Sequence, residues 1–141
     1  MKQKEIVEEM IDMLFLKKWR KRLKYDLIEE KSRNEKYFRY HNGEYIDKSI
    51  IKYKVNTMNL EDIYAILIKE GAKDQCFLMS CEDSGIFSTK EGLNRSLSEG
   101  MGAMLYLGNG IGFFQGEQYI GSPERYILVN NKKQGNPLLF G

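Results

Sequence analysis

The chain has 141 residues, 42% of them hydrophobic and 30% charged, which suits one folded core of ordinary proportions and excludes a disordered chain. Its 22 basic and 20 acidic residues leave a formal charge of +2, so no global field draws it to nucleic acid or an anionic membrane. Any charged partner must be met by a local patch. No apolar run approaches the roughly 18 residues of a membrane span, and acidic residues near the N-terminus do not suit a signal peptide. The expectation is a cytoplasmic protein with no membrane partner. Cys76 and Cys81, five residues apart, would face opposite sides of a strand and read as free thiols of a reducing compartment. Frequent Lys, Ile, Asn, Tyr and Phe with scarce Pro is the bias that AT-rich coding produces.

Residues 2 to about 32 contain no Gly or Pro and are rich in helix formers, which predicts one long helix or two abutting ones. At about 100° per residue, Val7, Met10, Ile11 and Leu14 share one side. Phe15, Leu16, Trp19, Leu23 and Leu27 fall on nearly the opposite side. A straight helix on one core keeps a single stripe. The switch near Phe15 therefore predicts either a bend or two halves packed against different things, one of them a second subunit or a partner protein.

The basic run Lys17-Lys18-Trp19-Arg20-Lys21-Arg22, followed by Lys24, lies in the second half. On a helix, Lys17, Lys21 and Lys24 share one side and Lys18 and Arg22 another, with Trp19 and Leu23 as an apolar seam between them. Such a helix can lie along phosphates without reading bases. It can equally anchor its seam to its own sheet and leave the lysines to solvent, with Glu8, Glu9, Asp12, Asp26, Glu29 and Glu30 diluting the field.

Beyond a polar link at 33–36, Tyr37-Phe38-Arg39-Tyr40 and His41-Asn42-Gly43-Glu44 signal a hairpin at the Asn-Gly pair. The return through 51–55 alternates apolar residues with lysines, the pattern of a half-solvated strand. Asn59 then caps a helix over about 60–70, with Leu60, Ile63, Tyr64 and Leu67 at helical spacing and Gly71 as its stop. Residues 75–81 form a short apolar run that predicts a central strand. Ser88-Thr89-Lys90-Glu91 is a capping box opening a helix over about 89–99, with Leu93 and Leu97 inward and Gly100 at its end.

From 103 to 130 the pattern is a β-meander with strands at 104–107, 111–114, 118–120 and 125–129, joined by turns at Gly108-Asn109-Gly110 and Gly116-Glu117. The tail from 131 ends in Leu138-Leu139-Phe140, which predicts that it docks. The expected fold is one α+β domain over 1–141: a long N-terminal helix followed by a mainly antiparallel sheet of about five or six strands with two short helices.

Motifs for chemistry are sparse. Gly108-Asn109-Gly110-Ile111-Gly112 is followed by strand, not by the helix of a dinucleotide fingerprint, and lacks the Gly-Lys-Ser/Thr of a P-loop. One histidine, His41, and two cysteines without matching pairs offer no metal-ligand spacing, so neither metal nor cofactor is expected. Nucleophilic catalysis would have to join His41 to Cys76, Cys81 or Ser80, with no motif in support. Glu82-Asp83, Glu117 and Glu124 are carboxylates at strand ends, where turns ordinarily place them. The most distinctive loop is Gly121-Ser122-Pro123-Glu124-Arg125-Tyr126. Its Ser122, Glu124, Arg125 and Tyr126 either offer a charge pair and an aromatic to a ligand, or make a tight connection in which Arg125 pairs with a nearby acid.

With no catalytic constellation, the residues point to a non-enzymatic protein-binding module of the inhibitor, immunity or anti-defence kind. It would meet a protein partner or a second copy through Phe15, Trp19, Leu23, Lys17, Lys21 and Arg22. The rival is a nucleic-acid-associated regulatory protein using the same basic helix. A third reading is an enzyme whose site is assembled from His41, the carboxylates and the loop at 122–125.

Overall fold

In the computed structural model, helix α1 (Gln3–Leu14) buries Ile6, Val7, Met10, Ile11 and Leu14, a stripe that 3.6 residues per turn gathers on one side. The structure describes residues 3–29, 43–80, 84–98, 102–116, 124–131 and 135–140. The chain leaves the helix at Phe15, which forms an antiparallel bridge with Ile46. Leu16 is extended (φ −58°, ψ 136°), its amide donating to the Tyr45 carbonyl at 3.0 Å, while the Asp47 amide donates to Leu14 at 2.9 Å. Helical structure resumes as a 3-10 turn (Lys17–Trp19), a short α2 (Arg20–Lys24) and a π-helical turn (Tyr25–Glu29). Of the two arrangements expected for this segment, the chain adopts separate helices. The extended link reorients the backbone, so Phe15, Leu23 and Leu27 turn back into the same core as α1.

The strands are β1 (Ile51–Lys54), β2 (Gln75–Ser80), β3 (Gly85–Ser88), β4 (Ala103–Tyr106), β5 (Ile111–Gln115) and β6 (Arg125–Val129), with α3 (Leu60–Glu70) and α4 (Thr89–Leu97) between them. They form one six-stranded sheet in the order β1-β6-β5-β4-β2-β3, every neighbouring pair antiparallel. This is the α+β arrangement of an N-terminal helix followed by an antiparallel sheet. Strand β3 is an addition to the sequence reading: four residues squeezed against the Ser88 cap carry too short an alternation to announce it. The arm of the expected hairpin at 37–42 and the strand expected at 118–120 lie outside the described residues.

Both faces of the sheet are covered. Phe77, Met79, Met104, Tyr106, Phe114 and Leu128 pack against α1 and α2, whereas Cys76, Leu78, Leu105, Phe113 and Ile127 pack with Ile63 and Leu67 of α3 and Leu93 of α4. Strands buried on both sides read as continuous apolar runs, which is why β4, β5 and β6 show no polar alternation. In β1 the register slips between Ile51 and Tyr53, so Ile51 joins the first core and Tyr53 the second. A bulge opposes two residues to one and lets side chains two apart face opposite ways.

The local signals hold at the helix ends. Asn59 Oδ1 accepts from the Asp62 amide at 3.1 Å, and Gly71 stops α3 in the left-handed region at φ 108°. Ser88 Oγ accepts from the Glu91 amide at 3.2 Å, but the reciprocal half of the expected capping box does not form, because the Glu91 carboxylate turns to accept from Arg95 Nε at 2.9 Å. The turn at 108–110 keeps three successive residues at positive φ, 77°, 52° and 75°, as a tight link between β4 and β5. The tail docks on its own chain. Leu139 is buried in the first core, Lys73 Nζ donates to the carbonyls of Asn136, Pro137 and Leu139 at 3.3, 3.2 and 2.6 Å, and Glu9 accepts from the Asn136 amide at 2.5 Å.

Candidate functional site

The basic segment after α1 divides into core and surface. Phe15 and Leu23 are fully buried, which corrects their expected place on a partner face: the extended link at Phe15 and the turn of α2 aim both inward. Trp19 stays 37% exposed, set edge-on to Tyr45 with ring centroids 5.0 Å apart, and Lys18 Nζ lies 6.0 Å from its ring. Part of the positive charge is neutralised locally, Arg22 Nε meeting Asp26 Oδ2 at 3.2 Å and Lys24 Nζ meeting Asp12 Oδ1 at 2.8 Å. Arg20 keeps its charge but is held by the Phe15 carbonyl, to which its Nε donates at 3.0 Å. Lys17, Lys18 and Lys21 are exposed, and among the described residues no carboxylate lies within ion-pair distance of them. Tyr25, four residues past Lys21 and 56% exposed, extends this face. Sequence reasoning passed over Tyr25, although its i+4 spacing from Lys21 was available as a signal.

Of the described residues of the expected ligand loop, Glu124 and Tyr126 come together, whereas Arg125 is set apart from them. Strand alternation sends neighbours to opposite faces, and Arg125 and Tyr126 are neighbours in β6. Tyr126 lies on the α1 side, stacked on Phe114 at 6.1 Å, and its pKa is raised by burial and by its hydrogen bond to the Glu124 carboxylate. Glu124 is exposed, and Ser122 lies outside the described residues. Arg125 points to the other face and is only 2% exposed. Its Nε donates to Gln115 Oε1 at 2.8 Å, and Gln115 Nε2 donates to the Leu97 carbonyl at the end of α4 at 3.2 Å. Among the described residues no acid pairs with Arg125, and its buried Nη2 has no hydrogen-bond partner. Burial lowers its pKa from the ordinary guanidinium value.

No family model, curated protein or solved structure matches the chain. Function must therefore be argued from these side chains alone. Cys76, on the α3/α4 face, is fully buried and its thiol is pushed up to about 12 by burial, so it stays protonated and unreactive at neutral pH. Cys81, His41, Glu82, Asp83 and Glu117 lie outside the described residues. Among those described, no three His, Cys, Asp or Glu side chains gather as metal ligands, and no helix is long and apolar enough to cross a membrane. An open groove of about 570 Å³ runs between Lys73, Asp74 and Gln75 on one side and Pro137, Leu139 and Phe140 on the other. Its lysine is occupied by the tail carbonyls.

Proposed function

We propose that this chain is a non-enzymatic protein-binding module that meets an acidic surface of a partner protein through the exposed face of residues 17–25. It would act in the cytoplasm as an inhibitor, immunity or anti-defence protein of a bacterium or phage. The observation that carries the reading is the set of three exposed lysines, Lys17, Lys18 and Lys21, with no acid partner among the described residues, set beside Trp19 and Tyr25. Trp and Tyr are enriched at the energetic centres of protein interfaces, and rim charges such as these lysines steer an oppositely charged partner. The other large exposed apolar residues, Met58, Ile68, Ile86 and Leu138, do not flank a comparable run of charge.

The same face supports nucleic-acid binding less well. Arg22 and Lys24 already hold Asp26 and Asp12, and Arg20 is held by the Phe15 carbonyl, which leaves three exposed lysines with no acid partner among the described residues. Three phosphate contacts give a log–log salt slope of only about −2.7, the regime of weak, sequence-independent binding.

The test is capture of a partner from the source cell by the full chain, identification of that partner, and titration of the purified pair with wild type and with Lys17→Glu/Lys18→Glu/Lys21→Glu. Binding that the triple reversal abolishes, while the far-UV spectrum and melting temperature hold, is the expected result. Equal affinity of the reversed variant would overturn the reading. A gel shift with duplex DNA or RNA at low salt that the reversal removes would transfer the face to nucleic acid. A dimer in light scattering lost on Trp19→Ala would make the partner a second copy.

A further inference from the structure

One buried charge has no acid partner among the described residues, and it lies on the sheet face opposite to α1 and α2. The residues of four strands at one end of the sheet, Ser80 and Gln115 closing β2 and β5 and Ala103 and Arg125 opening β4 and β6, pair in turn across it. Alternation places their side chains on the face that α3 and α4 cover, and the neighbouring row on that face is apolar: Leu78, Leu105, Phe113 and Ile127. The terminal row is different. Three of its four residues are polar, all three are buried, and it ends in a guanidinium 2% exposed.

A charge taken out of water is costly unless it is paired. Arg125 has only part of what it needs. Gln115 Oε1 holds its Nε at 2.8 Å, and the Gln115 amide is itself fixed by the Leu97 carbonyl at 3.2 Å. This orients the guanidinium and spends its inner donor on a neutral acceptor. The α4 C-terminus nearby contributes a partial negative charge, which fades within a turn and amounts to about half an elementary charge. Nη2 keeps no acceptor, although buried polar groups in native proteins are nearly always satisfied.

A guanidinium anchored at Nε presents its two Nη groups as a fork, and the group that matches a fork is a planar or tetrahedral oxyanion. We propose that Arg125, held by Gln115, is the recognition element of a site for one small oxyanion group, a carboxylate or a phosphoryl. The site is independent of the lysine face, because the whole sheet lies between them. Failure of either proposal leaves the other standing.

The experiment follows the backbone amides of Gln115 and Gly116 and the Arg125 Nε–Hε signal by NMR on the full chain. Sodium phosphate and sodium acetate are titrated against sodium chloride at equal ionic strength. A saturable displacement by phosphate, acetate or both, absent with chloride, is expected; phosphate alone assigns a phosphoryl ligand and acetate alone a carboxylate. Arg125→Met should abolish the saturable displacement of the Gln115 amide. Gln115→Glu keeps the guanidinium but supplies a carboxylate from within, and should weaken anion binding at least about tenfold, the loss expected for one charge-assisted hydrogen bond. No saturation by either anion in the wild type overturns the proposal, as does equal affinity in Arg125→Met. If Arg125→Met does not fold, unchanged affinity in Gln115→Glu overturns it.

Discussion

At the residue scale, several side chains have their roles decided by close approach. Gly92 lies in the middle of α4, where a glycine costs helix stability of about 1 kcal/mol relative to alanine. It is needed because a β-carbon there would collide with Cys76 Sγ on β2 and come within 3.2 Å of Leu105. Gly92→Ala should destabilise the protein by about 1–3 kcal/mol in urea unfolding, as overpacking does. The same change in a Cys76→Ala background should cost less, because the colliding sulfur is gone; a full cost there would mean that Cys76 is not the obstacle. Glu70 illustrates a different kind of control. Its carboxylate accepts from Lys52 Nζ at 2.8 Å and from the Tyr53 hydroxyl at 2.7 Å, and these two bonds, the lysine's first, hold its pKa below the ordinary value. A lowered folded-state pKa means that the unfolded chain binds the extra proton first. The Glu70 contribution is therefore complete above about pH 4.3, its unfolded value, and lost as pH falls through the lower folded one. Glu70→Gln should flatten the acid limb of the stability profile below about pH 4.3. An unchanged slope would show that the bonds do not persist in solution.

At the element scale, helix ends are the most legible features. Asn59 and Ser88 were readable as caps because the chemistry is local: an oxygen three residues before an amide that has no helical partner. Ser88→Ala should lower stability by about 1 kcal/mol, with faster amide exchange at Glu91 as the local signature. Loss of stability without that exchange would place the effect in β3 instead. The N-terminal segment was legible only in part. The change of apolar side near Phe15 was visible in sequence, but its cause was not, because the extended link depends on Tyr45, Ile46 and Asp47 supplying backbone partners from about thirty residues away. Once the link forms, much of the apolar surface of the second half is absorbed: Phe15, Leu23 and Leu27 complete the first core, and among the described residues Trp19 and Tyr25 stay exposed.

At the scale of the whole molecule, one sheet serves two cores. Successive residues of β2, β4, β5 and β6 point alternately to α1 with α2 and to α3 with α4, so neither layer can be lost without exposing half of the same strands. Calorimetry should therefore give one unfolding transition with equal calorimetric and van't Hoff enthalpies, and Trp19 fluorescence should follow far-UV dichroism. Two separated transitions would show that the layers fold independently. The sequence by itself determined the class, the caps, the tight turn at 108–110 and the positions of most strands, because those depend on periodicity and on chemistry within a few residues. It also located the basic run. Which of those side chains reach solvent, and that Arg125 is buried against Gln115, was decided by tertiary structure. Burial depends on what the opposite side of each residue meets, and for Phe15 that is Ile46, for Arg125 it is Gln115, and for Cys76 it is Gly92. Each of these partners lies ten or more residues away in the chain, beyond the reach of any local pattern.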